Sequence, residues 1–194
     1  MKIIRTSKSE YSKIKSVRLN SPIITRILFV LIFLVLIALM GINVKLIIFL
    51  VAAIIFNSWL AGFQLKRGLP TDFELSTFST VLTTMVFGWQ WGIFIAIFSK
   101  LIASIYSGNI IADHFFMILT YLNAVLIISL LGGSNVILLG FITIIINCII
   151  MFFISKNILG IDIVANFSYT GTNFVFNSII FLAFSQSVYY LLTL

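Results

Sequence analysis

Charge is what this sequence has least of. Of its 194 residues, 9% are Asp, Glu, Lys or Arg, where a soluble globular domain carries about 25%. So few charges cannot cover a water-facing surface, which excludes a soluble enzyme or a DNA-binding domain of ordinary design. Acidic residues are scarcer still, 5 against 12 basic ones. There is 1 cysteine, Cys148, which excludes an internal disulfide framework and a multi-cysteine zinc site. It lies in the apolar run 144–153 and reads as a small buried hydrophobe. The single histidine, His114, has no second His or Cys near it and is a weak metal signal. No His-x-x-x-His, Gly-x-Ser-x-Gly or Gly-x-x-x-x-Gly-Lys pattern occurs. The sequence therefore supports no enzyme, no cofactor and no metal site.

What is present is apolar. Hydrophobic residues make up 61% and the mean hydropathy is +1.22. A spanning helix needs about 20 apolar residues, so the length suits a polytopic all-α bundle of six or seven transmembrane helices. We expect a basic cytoplasmic tail at 1–20 and a single membrane domain at 21–194. The spans fall near 23–40, 44–63, 93–106, 115–131, 136–154 and 172–192. Pro22 starts the first, Gly and Pro punctuate a loop at 64–72, and residues 132–134 make a tight hairpin. Residues 155–171 read as a long polar connection. The tail is too polar, and the run after it too long, for a signal peptide.

Segment 74–87 is different: seven of its fourteen residues are Ser, Thr or Glu. It rises about 21 Å as a helix, short of the roughly 30 Å hydrocarbon core. It is a short buried span or a re-entrant helix, since polar elements survive at membrane depth only when packed in protein or lining a cavity. Thr71 or Asp72 is placed to cap it, with Glu74 in its first turn. The Gly88-Trp89-Gln90-Trp91-Gly92 stretch reads as a turn at the membrane interface.

The basic residues encode orientation. Six of the twelve lie in the first eighteen positions, which places the tail inside. Two crossings later Lys66 and Arg67 are inside again. The N-terminus is therefore expected to be cytoplasmic, in a multi-pass protein of the cell membrane. If 74–87 spans, there are seven helices and the C-terminus is outside; if it is re-entrant, there are six and it is inside. An engineered glycosylation reporter at the Asn166-Phe167-Ser168 sequon would separate the two.

Charge within a membrane is expensive and marks function by default. Lys100, near mid-depth in its span, is the leading candidate, with Asp72, Glu74 and Asp113 as its acidic partners. Asp113 also suits a helix N-cap. Asparagines recur in the spans, and Asn173 and Asn177 share a helical face. Interhelical hydrogen bonding is the plain reading of each; together they suggest a polar interior able to hold a small, partly polar molecule. We expect a ligand among Trp89, Trp91, Lys100, Tyr121, Asn123 and Asn173, near the outer half of the membrane. Ala53, Asn57 and Ala61, spaced by four beside Gly62, let another helix approach closely, either within the bundle or as a docking face for a partner protein.

The stretch 69–104 carries a polar-flanked short helix, then Phe87-Gly88-x-x-x-Gly92, then an apolar helix. This arrangement resembles the substrate-binding S components of energy-coupling factor transporters, and recurs in the related rod-shape MreD-like membrane proteins. The six elements from Val44 onward are similar to the six-helix S-component plan, and Ala53/Asn57/Ala61 to the Ala-x-x-x-Ala face that S components present to their coupling subunit. Residues 23–40 are extra to that plan, and no vitamin-specific signature is present. The resemblance implies a substrate-binding subunit of a micronutrient uptake system, with coupling and ATPase subunits as separate membrane-associated partners. The alternative is a non-transporting scaffold or accessory subunit of a larger membrane complex. The +7 net charge then belongs to topology, and no nucleic acid is expected as a partner.

Overall fold

A computed structural model of the chain describes residues 43–67 and 72–194. The basic tail, the expected span at 23–40 and residues 68–71, Thr71 among them, lie outside the described residues. Among those described there are six helices and no strand: α1 (Val44–Arg67), α2 (Ser76–Phe87), α3 (Trp89–Ser107), α4 (Ala112–Leu131), α5 (Val136–Asn157) and α6 (Ile163–Thr193). All but α2 are long and apolar enough to cross a membrane. Large side chains such as Leu130, Val164 and Tyr106 are exposed on the outside, where a lipid-facing surface requires apolar cover. The chain is an all-α helix bundle of the multi-pass membrane type.

Contacts between helices fix their directions. Asn57 of α1 meets Ser99 of α3, and Gly62 meets Tyr106. Both numbers rise together, so α1 and α3 are parallel. The chain must therefore return between them, and it does so through residues 72–75 and α2. Ser76 bonds Ser99 while Thr84 touches Gly92, which makes α2 antiparallel to α3. With 12 residues, α2 rises about 18 Å; the non-helical lead-in supplies the rest of the crossing. Two ends result. One gathers the ends of α1, α3 and α5 with the starts of α4 and α6; the other carries Val44, the α2–α3 joint, the α4–α5 hairpin and the C-terminus.

Four boundaries differ from the sequence reading. The expected turn at 88–92 shrinks to Gly88 alone, whose φ of 93° suits a residue without Cβ. Gly92 is instead helical, and Thr84 occupies the space its Cβ would fill. The long connection expected at 155–171 is mostly helix: the Asp162 carboxylate accepts the N–H groups of Val164 and Ala165 at 3.0 and 3.4 Å, and α6 starts there. Its polar residues 166, 173 and 177 are buried, so polarity signalled an inward face and not a loop. Asp72 does not cap α2. The cap position is Leu75, which makes no side-chain cap bond, and Glu74 precedes the helix. Nor does Asp113 cap α4, whose cap position is Ile111.

The apolar core lies between α2, α4, α5 and α6, around Val81, Leu82, Ala124, Ile128 and Phe181. Gly140 admits the Phe181 ring at the point where a Cβ would stand. A second cluster joins α1 to α3 through Leu46, Leu50, Ile54 and Ile95.

Candidate functional site

The lead-in 72–75 is non-helical backbone inside a helix bundle, so its polar groups need partners that the chain cannot supply locally. Side chains of the neighbouring helices supply them. Gln64 of α1 grips Phe73 twice, donating to its carbonyl at 2.5 Å and accepting its N–H at 3.2 Å. Asn57 accepts the Leu75 N–H at 2.9 Å and donates to Ser76 Oγ at 2.9 Å and to the Ser99 carbonyl at 3.2 Å. From α6, Thr172 Oγ1 accepts the Asp72 N–H at 3.2 Å. Held this way, the lead-in carries two carboxylates into the bundle, Asp72 and Glu74, each 3% exposed.

Lys100 meets both. Its Nζ lies 3.4 Å from Glu74 Oε2 and 3.8 Å from Asp72 Oδ1. The Asn173 amide bridges the same pair, donating to Asp72 Oδ2 at 2.7 Å and to Glu74 Oε1 at 3.3 Å. Tyr121 of α4 donates its hydroxyl to Glu74 Oε2. Four elements thus converge on one buried charge cluster. Two carboxylates facing one ammonium leave a negative excess, and burial makes any excess costly.

The cluster forms the floor of a polar cavity of about 230 Å³. Its wall continues through Ser104, Asp113, His114 and Tyr169 to a mouth at Leu65, Ser107, Asn109 and Ile111. Tyr169 donates to Asp113 Oδ2 at 3.3 Å, and Ser104 Oγ and His114 Nδ1 share a hydrogen bond of 2.8 Å. Among the described residues no three His, Cys, Asp or Glu side chains come together as a metal-binding group.

Of the six expected ligand residues, the structure brings Lys100, Tyr121 and Asn173 together and separates the other three. Trp89 and Trp91 sit at the opposite end of the bundle, since Trp89 precedes Lys100 by eleven residues, about 16 Å along the helix. Trp89 is exposed at 54%; Trp91 packs on the α1–α3 apolar cluster and edge-on against Phe94. Asn123 fails for an angular reason: two residues from Tyr121, it points about 200° away around the helix. Its Nδ2 is buried with no hydrogen-bond partner. The cavity is therefore at the Lys66–Arg67 end, away from the tryptophans.

The Ala53/Asn57/Ala61 stripe also has a different use. Asn57 is 2% exposed and spends its bonds inside the bundle. Ala61 lines the cavity, while Ala53 lies in the wall of a separate apolar hollow between α1, α2 and α6. Gln64 is the residue of this candidate site that sequence reasoning missed. Its signal was its position seven residues, two helical turns, after Asn57 on the same face.

A second, larger hollow of about 630 Å³ runs between α1, α2 and α6, with Ile48, Phe49, Phe56, Ile180, Phe184 and Leu191 in its wall. In comparisons with protein-family models, curated proteins and solved structures, nothing matches this chain.

Proposed function

We propose that this chain is the solute-binding subunit, similar to an S component, of a micronutrient uptake system in the cell membrane. One observation carries the reading: a cavity of about 230 Å³, lined by Lys100 and three carboxylates, inside a bundle of membrane-spanning length and composition. Intramembrane charge is costly to retain and marks solute or ion sites. The volume is below the roughly 300–1,000 Å³ of sites for drug-sized ligands, so the solute is small and polar. The energy-coupling and ATPase subunits are then separate chains, because no phosphate-binding loop occurs in the sequence.

Native mass spectrometry of protein purified from its own membranes tests this. A bound small molecule, lost in Lys100→Ala but retained in Trp89→Ala, is the expected result. No bound molecule, together with uptake that Lys100→Ala leaves unchanged for every vitamin tried, sinks the reading.

A second reading, a non-transporting scaffold or accessory subunit, draws on the apolar hollow between α1, α2 and α6. The charge cluster would then serve packing alone. That case gives a stable complex with another membrane protein and no small molecule in the same mass spectrum.

A further inference from the structure

The fold decides which loops share an end of the bundle, and that carries an inference about the cavity. Its mouth is formed by the end of α1 and the α3–α4 connection. Lys66 and Arg67 end α1 there, and Lys156 lies in the last turn of α5 at the same end. At the opposite end, among the described residues, the terminal basic side chain is Lys45. Lys and Arg near span ends concentrate on the cytoplasmic side. The expected span at 23–40 would bring the six basic residues of the tail to the same side.

The sign of the cavity is legible as well. Asp72, Glu74 and Asp113 face Lys100, the one Lys or Arg in the lining. Asp72 and Glu74 are engaged by Lys100, Asn173 and Tyr121. Asp113 stands nearer the mouth and takes one hydrogen bond, from Tyr169. A carboxylate has about four lone-pair positions, so Asp113, in the cavity lining, retains accepting capacity. The negative excess is offset by a bound proton or by a cation.

We propose that the cavity opens to the cytoplasm and receives a small organic cation, with Asp113 as its counter-ion. This rests on the solute-binding reading above and adds a side and a sign to it. In an uptake subunit, a cavity open to the cytoplasm corresponds to the state that releases solute. Ser104, His114 and Asn109 then offer hydrogen bonds to the polar remainder of the molecule.

Single-cysteine labelling tests side and sign without knowing the solute. Ala103 lines the cavity and is 1% exposed. In a Cys148→Ala background, Ala103→Cys is treated with a cationic and an anionic methanethiosulfonate of similar size, in inside-out and right-side-out vesicles. Asn109→Cys, at the mouth, serves as the second variant should Ala103→Cys fold poorly. Ser134→Cys, in the α4–α5 hairpin, reports the opposite face. Expected is labelling of residue 103 or 109 in inside-out vesicles alone, and of residue 134 in right-side-out vesicles alone. After correction for reaction with a free thiol, the cation should be faster by about tenfold, as a nearby unpaired charge in a medium of intermediate dielectric dictates. Asp113→Asn should reduce that ratio several-fold. Labelling of residue 103 or 109 from the outer face overturns the side; equal corrected rates, or a ratio unmoved by Asp113→Asn, overturn the sign. Failure to find a bound solute, with labelling as expected, overturns the binding reading and leaves the side and sign intact. A bound solute with labelling from outside does the reverse.

Discussion

Asn57 accepts the backbone N–H of Leu75 at 2.9 Å, across 18 residues and between two elements of the bundle. That bond places the start of α2 against α1 and, with it, the two carboxylates of the lead-in. Replacing Asn57 by Leu keeps the branched shape but orphans the Leu75 N–H. We expect a loss of about 1–3 kcal/mol for the unsatisfied group, read as a lower midpoint of thermal unfolding in detergent. Ser58→Ala, whose buried hydroxyl has no hydrogen-bond partner, should cost less.

Lys100 and Glu74 should be coupled. Lys100→Met leaves Asp72 and Glu74 facing each other without a cation, and breaking a buried pair costs about 3–5 kcal/mol. Glu74→Gln in the same chain relieves that repulsion. The double variant is expected to be more stable than Lys100→Met alone, and a double-mutant cycle on unfolding measures the difference. Additive losses would mean the two side chains do not interact.

Gly140 and Gly171 make a matched pair. A Cβ at Gly140 would meet the Phe181 ring, whereas one at Gly171 meets nothing within 4 Å. Gly140→Ala should destabilise by about 1–3 kcal/mol through overpacking. Gly171→Ala should be neutral or stabilising by up to about 1 kcal/mol, as expected for a helix interior. Equal effects would contradict the close α5–α6 contact.

Trp89 and Tyr121 lie at different depths, and binding should separate them. Tyr121→Phe removes the hydroxyl that donates to Glu74 and should weaken solute binding about tenfold, roughly 1.4 kcal/mol. Trp89→Ala should leave it unchanged. Titration by isothermal calorimetry of the copurified molecule checks both.

The helices and the partners of Lys100 were legible because the physics behind them is strict. An apolar run must span or be buried, and a charge within it must find an opposite one. Asn173 was legible from its pairing with Asn177 at helical spacing; Asn177 Nδ2 does reach Asn173, at 3.2 Å. Depth and rotation were harder to read. Trp89 and Lys100 share a helix, and composition does not say which helical end meets which. Tyr121 and Asn123 are near neighbours in sequence yet point apart. Polar residues at 166–171 suggested a loop because the interior they face, with Asn166 donating to the Phe152 carbonyl at 2.9 Å, exists only once α5 is beside them.

The bridge from Asn173 to Asp72 joins residues 101 positions apart. It has a consequence for biogenesis. Lys100 can meet Glu74 as soon as α3 enters the bilayer, but the amide that ties both carboxylates arrives only with α6. Until α6 inserts, the nascent chain holds an incompletely satisfied charge cluster. A ribosome stalled or a chain cut before residue 173 therefore presents a membrane quality-control protease with an unfinished polar seam.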